Sequence, residues 1–337
     1  MRTRPILVYM LAVLMALGIG AILIIMAGAN PVQAYQSLIT GSFGSVNAIA
    51  EVLVKSAPLV LASLGVTFAY KCNFINLGAE GQLTMGALFA FVVGFAFSGL
   101  NPILLFPLIA IAAFAGGVLI IALPAFLKAK LGVNEIILTL MMNYVSFWLI
   151  SYFVMGPLKN PASGYPLTSL VPLAARFPII MPGTRLHLGF LISILFVPLI
   201  YLILTKTSLG YRIGVVGNSV KAARYGGINV PRTILIVALI SGGLAGLAGM
   251  NEVIGINYFL TSSYSPGYGW NAIIIAVISG LNPITVGVAS VLFSAMITGA
   301  ETMQRVAGVP VPLIFVIQAL LVFFILGSKL ILKRMEK

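Results

Sequence analysis

Residues 74–88 read FINLGAEGQLTMGAL, which sets Asn76, Glu80 and Gln82 among three glycines in otherwise apolar sequence. A carboxylate there can act as a hydrogen-bond acceptor facing a polar pathway, or as a first-turn carboxylate that caps the following helix and is favoured by its dipole. Asn76 and Gln82 are uncharged and both donate and accept, which suits a polar, neutral ligand. A proton relay has little to work with, because all six acids are Glu, there is no Asp, and the single His187 sits at the edge of an apolar run. Bond-making chemistry has less. The sequence contains no H-E-x-x-H, no paired Asp and no Cys/His cluster. It also lacks a G-x-x-x-x-G-K-[ST] loop, and the dipeptide Gly-Lys is absent, so the chain cannot cradle nucleotide phosphates in that manner.

The elements around these residues follow from composition. Hydrophobic residues make up 61% of the chain and charged residues 7%, against roughly 45–50% and 25% in soluble domains. Runs such as 6–29, 102–127 and 310–327 approach or exceed the ~20 apolar residues that a helix needs to cross a bilayer. They are apolar all round, so helices rather than an alternating barrel do the spanning. The expected class is all-α, a polytopic membrane protein of about ten transmembrane helices with inverted repeats and broken helices. The formal charge of +13 is dispersed between apolar runs instead of gathered in a basic domain, which fits membrane orientation and not nucleic-acid binding. The one cysteine, Cys72, excludes an internal disulfide and reads as a small packing residue. Arg2 and Arg4 precede an apolar run of 24 residues, 6–29. That exceeds the about 7–15 of a signal peptide, so it reads as an uncleaved first span.

Polar breaks delimit ten spans, about 6–29, 57–71, 83–99, 102–127, 133–156, 188–205, 232–250, 269–281, 284–303 and 310–328. With the N-terminus inside, the inner connections and tails hold 14 Lys and Arg: Arg2, Arg4, Lys71, Lys128, Lys130, Lys206, Arg212, Lys221, Arg224, Arg232, Lys329, Lys333, Arg334 and Lys337. The outer set holds five, Lys55, Lys159, Arg176, Arg185 and Arg305, so both termini are expected in the cytoplasm. Residues 31–55 have mixed polarity and suit a short interfacial helix. The outer connection 157–187 is rich in Pro and Gly and reads as a loop with at most short helical turns.

The whole is one membrane domain, with the first span at 6–29, a first repeat over 57–156, an inner loop at 206–231 and a second repeat over 232–328. Each repeat begins with a break, 72–82 in the first and 251–269 in the second, and such breaks at matching positions of inverted halves point to a substrate site near the midplane. Phe74, Tyr264, Tyr268 and Trp270 stand beside these breaks, where aromatic faces suit a ring-shaped ligand or simply pack. Asn271 follows Trp270 and joins the pathway candidates. Glu135 and Asn143 lie eight residues apart on span five and share a face that must look into the bundle. Asn143 is the mid-span pathway candidate, whereas Glu135 is placed to pair with Lys128 or Lys130. Glu252 is expected near the outer end of its span, reaching water or an external partner, and His187 reads as interfacial. Gly242, Gly243, Gly246 and Gly249 form a close-packing surface. In the inner loop, Asn218 or Ser219 caps a short helix that Gly226 and Gly227 stop. That loop is either a docking element or a solvated basic segment that fixes orientation.

FINLGAEGQLTMGAL, GVNEIILTLMMNYV, VVGNSVKAARYGGI, SGGLAGLAGMNEVIG, SPGYGWNAI and LNPITVG stand here in the order and spacing of ABC importer permease subunits. From about residue 31 to 328 the chain resembles the simple-sugar and nucleoside branch, relatives of the ribose permease. It is most similar to the longer of the two permeases of bacterial purine-nucleoside systems. It departs at AVISG, where relatives carry a Gly-Arg pair before Leu-Asn-Pro. The resemblance implies a transport subunit with no cofactor of its own, ATP and Mg being bound by a cytoplasmic partner ATPase. It also implies an external substrate-binding lipoprotein and a second permease, homologous in the nucleoside branch or identical in the ribose branch, all at a bacterial plasma membrane. The inner loop then becomes a coupling helix, with Asn218, Ser219, Lys221, Ala222, Ala223, Arg224, Tyr225 and Gly226 seated against the ATPase. The rival class is an ion-coupled secondary transporter, which the scarcity of buried acids and His disfavours.

The charge split predicts topology directly. A reporter fused within Ser208–Val230 should report cytoplasm and one within Ala162–Thr184 the outside; a cytoplasmic signal from the second would break this arrangement.

Overall fold

With no water in the hydrocarbon, each backbone N–H and C=O must find its partner inside the segment, so the apolar runs fold as helices. The computed structural model describes residues 3–264 and 267–335, the side chains of 3–7, 9 and 329–335 excepted. Arg2, Pro266 and Lys337, and the side chains of Arg4, Lys329, Lys333 and Arg334, thus lie outside the described residues. The helices are α1 (Thr3–Met26), α2 (Pro31–Phe43), α3 (Val46–Lys71), α4 (Ala79–Ala96), α5 (Pro102–Leu131), α6 (Glu135–Met155) and α7 (Leu188–Lys206). They are followed by α8 (Ser208–Asn218), α9 (Val220–Tyr225), α10 (Val230–Asn251), α11 (Tyr268–Ile278), α12 (Pro283–Ala307) and α13 (Val311–Met335). Local sequence sets several starts: Asn30, Asn101, Asn134 and Asn229 each accept a backbone N–H at the head of α2, α5, α6 and α10.

Among the described residues eight helices are long and apolar enough to cross a membrane, or nine if α1 and α2, bent by 117°, count as one. The stretch expected as an eighth span forms only α11, an 11-residue helix that rises about 16 Å, half a bilayer. Residues 31–55 divide between α2 and the start of α3, which makes α3 longer than the expected 57–71. The outer connection 157–187 holds one 3-10 turn, Leu173–Ala175.

The chain divides into two compact units, Met1–Val52 with Leu292–Lys337, and Leu53–Val291. In the first unit α1 packs on α13, and Ile24, Ala34, Met303 and Ile317 share an apolar core. Ser42 and Ser294 donate their hydroxyls to the carbonyls of Ala295 and Val52 at 2.6 Å, which hides their polarity among helices.

The second unit is built on α4, α5 and α10, which approach closely. The glycines of α10 are the reason. A Cβ at Gly246 would meet the Ala113 carbonyl and one at Gly249 the Leu83 carbonyl, while Gly86 of α4 faces the backbone of Gly246. Of the four-glycine surface expected on α10, Gly246 and Gly249 form a backbone-to-backbone seam, Gly242 faces Ile121 and the Gly117 carbonyl, and Gly243 makes room for the Phe114 ring. Both breaks appear here. α3 ends at Lys71 with Asn73 left-handed (φ 56°), and α4 restarts at Ala79, so Glu80 and Gln82 lie inside its first turns. α10 runs to Asn251 and continues as a π-helical stretch, Glu252–Asn257, before Tyr258 turns left-handed (φ 64°). The second irregular stretch thus begins later than the sequence suggested.

Candidate functional site

The two interruptions leave backbone groups without helical partners, and the polar side chains between the apolar runs take them up. At the first break, Asn76 and Gln82 form a reciprocal amide pair, each donating to the other at 2.9 Å. Asn76 also donates to Ser241 of α10 at 3.1 Å and accepts from the Gly78 N–H at 2.9 Å. Both amides are fully buried.

One face of α6 holds the rest of this segment. The Glu135 carboxylate accepts from the Ile75 N–H at 3.5 Å and pairs with Lys128 at 2.7 Å. Thr139 accepts from the Leu77 N–H at 3.1 Å. Asn143 accepts from the Gly81 N–H at 2.8 Å and donates to the Leu77 carbonyl at 2.9 Å. These residues stand at i, i+4 and i+8, a single stripe along the helix. The sequence reading found its two ends and missed Thr139, although the spacing between Glu135 and Asn143 points to the intervening turn.

Glu80 acts in a way that neither expectation covers. Its two oxygens accept the N–H groups of Gly267 at 2.8 Å and Gly269 at 2.6 Å. Glu80 therefore lies in the first turn of its own helix but caps α11, the short helix of the second break. Two helix N-termini converge on one carboxylate, each favouring negative charge. Glycine at 269 is required by the approach, since a Cβ there would meet the backbone of Ala79 and Glu80.

The outer loop secures the other side of the second break. The Ile254 carbonyl accepts from the Phe177 N–H at 3.1 Å, and the Ile256 carbonyl accepts from Arg185 at 2.8 Å. Val171 donates its N–H to the Tyr258 carbonyl at 2.7 Å, while the Arg176 guanidinium lies 4.5 Å from the centre of the Tyr258 ring. Glu252 is buried rather than reaching water; it accepts from Asn257 at 2.7 Å across the π-helical turn. His187 is fully buried rather than interfacial, stacked on Phe177 with ring centres 5.5 Å apart. Burial, reinforced by the Arg185 charge, lowers its pKa to about 4, so it packs as a neutral ring.

Of the remaining pathway candidates, Phe74 and Tyr264 are buried, Asn271 is half-buried and Trp270 is exposed. No group of three or more His, Cys, Asp or Glu side chains converges among the described residues. The arrangement hydrogen-bonds and orients; it offers no nucleophile with an adjacent base.

The inner loop is folded, with two helices where one was expected. α8 ends at Asn218, and Ser219 caps α9 by accepting the Ala222 N–H at 3.2 Å. Gly227 (φ 74°) ends the turn, with the Ile228 N–H returning to the Ala223 carbonyl at 2.9 Å. Ala223 is buried within the chain, whereas Lys221, Ala222, Arg224 and Gly226 face outward and Tyr225 is 93% exposed. Gly217 of α8 lies against the Lys71 carbonyl, beside the first break.

The family model described as "Branched-chain amino acid transport system / permease component" matches residues 48–326. The chain is 34% identical over 329 residues to the glucose ABC transporter permease protein TsgB13 of Haloferax volcanii, covering 95% of this chain and 86% of that one. It is 32% identical over 330 residues to the guanosine ABC transporter permease protein NupP of Bacillus subtilis, covering 97% and 94%. It is 31% identical over 337 residues to the nucleoside ABC transporter permease protein NupB of Lactococcus lactis subsp. cremoris, covering 96% and 91%. No solved structure matches significantly.

Glu80→Leu should strand the Gly267 and Gly269 N–H groups, at about 1–3 kcal/mol for each buried group. Glu80→Gln keeps one acceptor oxygen and should lose less. Thermal unfolding of the two variants in detergent checks the order; equal midpoints for Glu80→Leu and the parent chain would remove Glu80 from the structural role.

Proposed function

The chain belongs to the branched-chain amino acid transport system / permease component family, and from that premise we propose that it is the membrane-spanning subunit of an ABC importer that moves nucleosides, purine nucleosides foremost, into the cell. The observation that carries this reading is its likeness, over nearly its whole length, to permeases named for guanosine and for nucleosides. The residues agree in kind. Neutral amides and aromatic rings dominate the candidate pathway, formed by Phe74, Asn76, Glu80, Gln82, Asn143, Tyr264, Trp270 and Asn271, and such groups suit a flat, polar, uncharged molecule. A sugar is the second reading, favoured by the haloarchaeal relative named for glucose.

In this reading ATP and Mg are bound by a cytoplasmic ATPase, an external lipoprotein delivers the substrate, and a second, homologous permease completes the membrane unit; a homodimer is the alternative. Both termini face the cytoplasm of a bacterium. The α9 region, Asn218–Gly226, is the coupling element. Tyr225 offers a rigid aromatic anchor to a groove of the ATPase, and Gly217 carries its movement to the end of α3. From there the first break and the Asn76–Gln82 pair are the next groups to move.

ATP-driven uptake by the complete importer in vesicles, offered guanosine, adenosine, uridine, ribose and glucose in turn, tests the assignment. Nucleoside uptake that stops without ATP is expected. ATP-driven uptake of glucose without any nucleoside would favour the sugar reading, and uptake driven by an ion gradient with no ATPase would overturn both.

Tyr225→Ala should leave membrane insertion unchanged, since the side chain packs on little of its own chain. It should weaken ATPase association by about 2 kcal/mol or more, the loss expected of an aromatic anchor. Undiminished co-purification of the ATPase would reduce the loop to a basic orienting segment.

A further inference from the structure

The C-terminal end of α6 and the turn at 261–264 enclose a cleft of about 400 Å³ that the polar framework above does not use. This lies within the ~300–1,000 Å³ of small-molecule sites. Three rings line it, Phe147, Trp148 and Tyr264, together with the hydroxyl-bearing Ser151, Ser262 and Ser263. Trp148 and Ser151 stand at i and i+3 of one helix and so present a ring and a hydroxyl to the same side. Among the described residues no Asp, Glu, Lys, Arg or His lines the cleft, so a phosphate or carboxylate would find no counter-charge there. Trp148 is 76% exposed and makes its ring face available. Tyr264 is only 5% exposed, and its buried hydroxyl has no hydrogen-bond partner among the described residues. That hydroxyl is closed off from the cleft and lies within electrostatic reach of Glu252, Tyr268 and Glu80, so what Tyr264 contributes to the cleft is its ring.

We propose that this cleft is a stacking subsite for the heterocyclic base of an incoming nucleoside, with Trp148, Phe147 and Tyr264 supplying ring surface and the serines supplying hydrogen bonds. The assignment rests on the nucleoside reading above and gives it a location. Stacking on an aromatic face is indifferent to which base is bound, and the neutral hydroxyls discriminate against the charged nucleotide. The subsite would therefore accept several nucleosides and reject their phosphates.

The test uses the complete importer in vesicles, with guanosine as the transported probe and the second permease and ATPase co-purified alongside. Trp148→Ala should slow guanosine uptake by at least about five-fold, the lower end of what loss of one base–aromatic stack costs. Trp148→Phe should restore most of the rate, and the double variant Ser262→Ala, Ser263→Ala, which removes two hydroxyls from the cleft, should slow uptake while leaving assembly intact. Guanosine uptake at the parent rate in both Trp148→Ala and the double serine variant would overturn the subsite and leave the nucleoside reading standing. Loss of the second permease from purified Trp148→Ala complexes would also overturn it, by showing the ring to be a subunit contact. A parent importer that carries ribose or glucose but no nucleoside would instead refute the reading on which the subsite rests.

Discussion

An interrupted helix in hydrocarbon exposes N–H and C=O groups that lipid cannot satisfy, and the architecture of the second unit answers that constraint. Its central device is the Glu80 carboxylate, which receives the first N–H groups of α11 while standing in the first turn of α4. A carboxylate is costly in such surroundings unless it is paired and hydrogen-bonded. Here two helix N-termini converge on it; Gly269 lets the backbone come near enough to donate, and Gly267 takes the left-handed turn (φ 78°) that starts α11. The two breaks are thereby held by one side chain.

The other supports follow the same logic. α6 turns a stripe of Glu135, Thr139 and Asn143 toward the 75–81 segment and satisfies the amides of Ile75, Leu77 and Gly81 one turn at a time. The outer loop performs the equivalent service for the π-helical stretch, through Phe177, Arg185 and Val171. Polar residues in the bundle thus serve the backbone in this conformation, and in the proposed reading contact between a substrate and the first break would need the Asn76–Gln82 pair to open. A reciprocal amide pair is suited to that task. It is satisfied when closed, and both amides can re-pair with a neutral polar ligand when parted.

The route from α9 to the first break is short. α9 is capped by Ser219 and stopped by Gly227, so it is a rigid element rather than a tether. The helix before it touches the carbonyl of Lys71, at the position where α3 gives way to the first break. In the proposed coupling, movement imposed on Tyr225 would reach the broken segment through α8 and the continuous α10, which both inner helices touch. The broken segment is the more yielding of the two, because a break has fewer backbone bonds to resist displacement.

The sequence alone determined the helical membrane class, since 61% hydrophobic residues in runs of span length leave no other way to satisfy the backbone. It also marked the α10 glycine surface, a partner for Glu135 in Lys128 or Lys130 and an inner-helix cap in Asn218 or Ser219, all of which depend on local spacing, and the structure selects Lys128 and Ser219. Tertiary structure decided what spacing cannot encode. Glu80 and Gly269 are far apart in the chain, so nothing local marks the carboxylate as the cap of a different helix. α11 has the apolar composition of a span, yet it stops at half the thickness because its start is anchored inside the bundle on Glu80. His187 reads as interfacial from its place at the head of α7, and only the packing of Phe177 and Gly255 around it shows a neutral buried ring. Local propensity and hydropathy act over a few turns of helix, whereas the partner of a buried polar group is chosen by which distant segments the fold brings within hydrogen-bonding distance.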